Sequence, residues 1–100
     1  MATFTTGDTA PALTGVCKSD TTPVNLTGAT VVLHIVWADN TTATKTATLT
    51  DATNGAWSYT WIGGDLAVAG PARVEAQVTF SGGSVETFGP TWFAVVPQIA

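Results

Sequence analysis

Pro23-Val24-Asn25-Leu26-Thr27-Gly28-Ala29-Thr30-Val31-Val32-Leu33-His34-Ile35-Val36-Trp37 runs from a polar turn straight into a series of β-branched and large apolar residues. Asn25, Thr27 and Gly28 supply turn chemistry, and the branched Cβ atoms of Thr30, Val31, Val32, Ile35 and Val36 suit a pleated strand better than a helix. Alternation over residues 29–37 places Val31, Leu33, Ile35 and Trp37 on one face and Val32, His34 and Val36 on the other. Both faces are mostly apolar. Such a strand is either covered on both sides or presents one side to a partner.

The same period of two recurs outward from this segment. A first strand is expected over residues 12–17, before the turn cluster Lys18-Ser19-Asp20-Thr21-Thr22-Pro23. Residues 43–50 alternate Thr44, Thr46, Thr48 and Thr50 toward solvent with Ala43, Lys45, Ala47 and Leu49 on the other side, where Lys45 has to snorkel at an end or rim. Asn54-Gly55 marks a hairpin into residues 56–62, whose Trp57, Tyr59 and Trp61 share a face. Residues 73–80 point Val74, Ala76, Val78 and Phe80 inward and Arg73, Glu75, Gln77 and Thr79 outward. Two further strands are expected at residues 85–88 and 91–96, separated by Gly89-Pro90; in the last, Trp92, Ala94 and Val96 oppose Phe93 and Val95. About seven strands with turn signals every 8 to 12 residues predict an all-β, immunoglobulin-like antiparallel β-sandwich. Residues 1–10 show no sustained alternation and are expected to form an extended arm or a loosely paired edge segment, with residues 11–100 as a single sandwich domain.

Charged residues make up only 10% of the chain and hydrophobic ones 45%, so this is a folding sequence with unusually little charge on its surface. Threonine, about a fifth of the residues, coats part of that surface; burial of the exterior in an assembly is the alternative. With a net charge of −4 and Lys18, Lys45 and Arg73 as the cations, no patch can neutralise a row of phosphates, which argues against nucleic acid as a partner. The start of the chain has no basic n-region or apolar h-region, and no run approaches the ~20 apolar residues of a membrane span. The expectation is a chain made in a cytoplasm, with no membrane partner. Cys17, the single cysteine, reads as core filler.

Chemistry is sparse. His34 is the one histidine, so a metal site lacks partners, and the acids Asp8, Asp20, Asp39, Asp51, Asp65, Glu75 and Glu86 fall mostly at turns. Gly63-Gly64 and Gly82-Gly83 lack the following helix of a phosphate loop, and no serine sits in a nucleophile elbow. No catalytic residue, metal or cofactor is expected. Trp57, Tyr59 and Trp61 either fill the core or form a platform for stacking sugar rings. The candidate protein contacts are Phe4, Val32, His34, Val36, Phe93 and Val95.

Several segments, taken in order, bear a family likeness. Gly7-Asp8-Thr9-Ala10-Pro11, Pro23 through Val31, Asp51 with Asn54-Gly55, Tyr59-Thr60-Trp61, then Asp65, Gly70 and Glu75 resemble the immunoglobulin-like N-terminal module of bacteriophage baseplate upper proteins. Ala72 replaces the aromatic usual after the corner, and Ser81-Gly82-Gly83 replaces an Asp-Gly turn. The resemblance implies a virion protein whose partners are other virion proteins. Because those proteins continue into further domains, the expectation is a free-standing accessory protein that decorates or cements the capsid, binding the major capsid protein and copies of itself. The alternatives are a baseplate or tail accessory protein and a carbohydrate-binding module.

Overall fold

The turn at Leu26 and the strand after it adopt the conformations that their sequence favours. In the computed structural model, which describes residues 2–99, the Ala29 amide donates to the Leu26 carbonyl at 2.9 Å. Gly28 takes φ +77°, the left-handed value that a side chain would strain. Asn25 Oδ1 accepts from both the Thr27 amide and the Thr27 hydroxyl, locking the approach to the turn.

Ten strands follow in chain order: β1 (Ala2–Thr5), β2 (Leu13–Val16), β3 (Lys18–Ser19), β4 (Thr22–Pro23), β5 (Thr30–Val36), β6 (Thr42–Thr46), β7 (Thr48–Asp51), β8 (Ala56–Tyr59), β9 (Gly70–Thr79) and β10 (Val85–Val96). They make an all-β sandwich. One sheet has the order β1-β10-β9-β5-β6 and the other β2-β8-β7, while β3 and β4 form a two-residue ladder between β2 and the Leu26 turn. All pairings are antiparallel except β1 with β10.

Two departures from the expected strands have physical causes. The alternating segment 43–50 is two strands, because the chain leaves β5 after Thr46, passes Ala47, whose amide bonds the Val31 carbonyl at 2.9 Å, and joins β8 in the opposite sheet. Its period survives the switch: Ala43, Lys45, Ala47 and Leu49 remain half-buried and the threonines exposed. Residues 85–88 and 91–96 are one strand, whose register on β9 shifts at Gly89-Pro90. Of the two expectations for residues 1–10, the described part takes the paired edge segment and not the free arm, since β1 pairs with β10 at the sheet edge and the Thr6 and Gly7 amides bond the Val96 and Leu66 carbonyls at 2.9 and 3.0 Å.

Between the sheets lies an apolar core containing Leu13, Leu26, Val31, Leu33, Ile35, Leu66, Val74 and Val78 together with most of the aromatic residues. Trp61 sits among Phe4, Tyr59, Trp37 and Phe93, with ring centroids 5.3, 5.4, 6.1 and 6.0 Å away, mostly edge-on or tilted. Its indole Nε1 is buried without a hydrogen-bond partner. Beside this cluster the Asn54-Gly55 connection closes as a 3-10 turn over Ala52–Asn54, with Gly55 at φ +75°. A Cβ on Gly55 would lie 2.6 Å from the Cys17 carbonyl oxygen, so glycine is required there by space as well as by φ.

Candidate interaction surface

Cross-strand partners in a sheet point to the same side, so the register identifies the outer face of the five-stranded sheet. Strand β9 contributes Pro71, Arg73, Glu75, Gln77 and Thr79. Opposite Arg73 stand Trp92 on β10 and Val36 on β5; opposite Glu75 stands His34, and opposite Gln77 stand Thr87 and Val32. Beyond β5, the threonines of β6 at positions 42, 44 and 46 complete the rows. The His34 ring bonds Gln77 Oε1 at 3.1 Å from Nε2, and the Arg73 guanidinium lies 5.7 Å from the centroid of the Trp92 ring. Trp92 keeps 48% of its surface exposed, and Val85 and Val96 on the same strand are also exposed.

Of the contact residues expected from sequence, Val32 and Val36 are half-buried and His34 is exposed on this face. Phe4, Phe93 and Val95 are not surface residues at all: they are 3%, 1% and 2% exposed and belong to the core. The cause is the irregularity at Gly89-Pro90. From Phe88 to Thr91 strand β10 advances three residues while β9 advances two, from Ala76 to Val74, and the extra residue inverts the alternation. Phe93 and Val95 are thereby turned inward and Trp92 and Val96 outward. Phe4 is drawn in because β1 places it beside Val95, edge-on to Trp61 and Phe93. Arg73 and Trp92 were therefore missed as a pair, and the Gly-Pro dipeptide inside a strand pattern was the signal that could have found them.

The aromatic strip that begins on β8 and runs on to Trp61 does not form a platform. Trp57, Tyr59 and Trp61 are buried, so no ring face is open to a sugar. Tyr59 instead belongs to a polar cluster at the rim of the core. Its hydroxyl donates to Asp65 Oδ2 at 2.7 Å, the Ile62 amide donates to the same oxygen at 2.8 Å, and Lys45 Nζ reaches Asp65 Oδ1 at 3.0 Å. Burial works against the Asp65 carboxylate, yet these donors hold its pKa below the ordinary value. The bond to Asp65 raises the Lys45 pKa, while burial and then the same carboxylate raise that of Tyr59. Lys45 thus snorkels to a partner rather than to open water. Cys17 is buried, and desolvation raises its thiol pKa.

An apolar groove of about 260 Å³ opens between the sheets beside the free edge of β2, lined by Leu13, Trp57, Val74 and Phe93 among others. Among the described residues no group of three or more histidine, cysteine, aspartate or glutamate side chains could hold a metal ion. Among the same residues no helix is long and apolar enough to cross a membrane.

A family model described as the BppU N-terminal domain matches residues 1–92. A search of curated proteins gives no match.

Proposed function

Because this chain belongs to the family of BppU (baseplate upper protein) N-terminal domains, phage baseplate-associated structural modules of the virion, we propose that it is a non-enzymatic component of the baseplate or tail that binds neighbouring virion proteins through its surfaces. The match over residues 1–92 carries the reading. It favours the baseplate or tail over the capsid decoration expected from sequence, and it gives the major capsid protein no special claim as a partner.

The use to which the polar side chains are put supports a structural role. Asp65 is occupied by Lys45, Tyr59 and Ile62, Asp39 by the Thr41 amide and hydroxyl, Asp51 by Asn54, and His34 by Gln77. Each of these bonds closes a turn or ties neighbouring strands. General acid and base catalysis instead needs groups that converge on a shared space.

Localisation tests the proposal. Cryo-electron microscopy of virions should reveal the 100-residue sandwich as density at the tail tip or along the tail. Density on the capsid lattice, or no association of the chain with purified particles, would overturn it.

A further inference from the structure

We infer that the outer face of the five-stranded sheet pairs with the same face of a second copy of this chain, about a two-fold axis running across the strands between the rows of Arg73 and Glu75. The first support is the distribution of charge. Among the described residues, Arg73 and Glu75 are the charged side chains whose register puts them on this face. They cancel, so the net charge of −4 lies wholly on the rest of the molecule. Two such molecules repel one another in most orientations and least when these neutral faces meet.

The second support is self-complementarity. Arg73 and Glu75 project from one strand two positions apart, which is about 7 Å. A two-fold axis midway between them sets each arginine against the other copy's glutamate, forming two symmetry-related ion pairs from one arginine and one glutamate per copy. The same operation lays the exposed Trp92 over the exposed Gly89-Pro90 bulge of the second copy. It also lays Val36 over that copy's His34, and threonine over threonine on β6. No buried charge is left without a counterpart.

The third consideration is area. About this axis β9 and β10 overlap along most of their length, β5 and β6 over three residues each (34–36 and 42–44), and β1 not at all. At about 3.4 Å per residue and about 4.8 Å per strand that is about 420 Å² per copy and about 850 Å² in total, at the low end for protein interfaces and in the range of weak, transient pairing. A weak, reversible dimer follows, with a Kd on the order of hundreds of micromolar. This inference stands apart from the position in the virion, since the face, its charges and its area do not depend on the family.

The test is sedimentation equilibrium of the intact chain across about 10 µM to 1 mM. The wild type should show a monomer–dimer equilibrium. R73E places four carboxylates at the pairing site and should raise the Kd at least tenfold, and Trp92→Ala should do likewise. The exchange variant, R73E combined with E75R, restores both cross-pairs and should recover most of the affinity. All three side chains are exposed, and circular dichroism melts verify that the variants fold. A wild type that stays monomeric at every concentration overturns the inference. So does a dimer indifferent to R73E, or an exchange variant that dimerises no better than R73E alone.

Discussion

Asp65 holds together three elements that are distant in sequence: Lys45 of β6, Tyr59 of β8 and the turn beginning at Ile62. In Asp65→Ala all three donors lose their acceptor. Hydrogen bonds to a charged group contribute about 1.5–3 kcal/mol each, but the Lys45 side chain is 26% exposed and can turn to water. The Tyr59 hydroxyl and the Ile62 amide carry the larger part, which brings the expected loss to about 3 kcal/mol. For a domain of this size that is a fall in Tm on the order of 12–24 °C, measured by circular dichroism at pH 7.

Lys45→Met should cost less, about 1 kcal/mol, because Asp65 keeps two donors and an apolar stem still packs at the rim. The pH dependence follows from the direction of each shift. Asp65 has a lowered pKa in the fold, so its contribution is full above the unfolded carboxylate value near ~3.9 and disappears as pH falls through the lower folded value. Lys45 and Tyr59 have raised values; their contributions are full below about pH 10 and disappear as pH rises through the folded values. The wild type and Asp65→Ala should therefore converge in strong acid. A Tm loss below about 4 °C at pH 7, or a gap that persists unchanged in acid, would refute the cluster as an anchor.

Gly55→Ala should destabilise the domain by at least about 1 kcal/mol in urea unfolding, since the new Cβ meets two carbonyl oxygens, of Cys17 and Val24, at a positive φ. Phe4→Ala removes a ring buried against Trp61 and Phe93. It should cost about 3–5 kcal/mol and speed amide exchange at Thr6 and Gly7, whose bonds to Val96 and Leu66 depend on β1 staying docked. Cys17, buried and with a raised thiol pKa, should react with iodoacetamide at the rate of unfolding and not of thiol exposure.

The pattern of residues 29–37 sufficed to place Val31, Leu33, Ile35 and Trp37 in the core and Val32, His34 and Val36 opposite them. The same holds for Val74, Ala76 and Val78, whereas for Trp57, Tyr59 and Trp61 the alternation indicated a shared face and left core or platform open until the packing buried it. The outer face could be read only in part, because one of its five strands is β10. There the parity of every residue after Phe88 depends on one extra residue at Gly89-Pro90, and a lone sequence does not say whether a Gly-Pro pair ends a strand or bulges within it. Lys45 was legible as a charge on an inward side, but its partner Asp65 lies 20 positions away, beyond the reach of any local pattern.

The sandwich class, the turns at Gly28 and Gly55, and the faces of the regular strands follow from local causes. Cβ branching, positive φ and the period of two act within a few residues. Folding in three dimensions decided which sheet each strand joined, the passage of 42–51 from one sheet to the other at Ala47, the docking of β1 beside β10, and the inversion that exposes Trp92 and buries Phe93. Those outcomes depend on pairing between segments as much as 91 positions apart, such as Ala2 with Phe93, and the competition among such pairings is resolved only when the whole core packs.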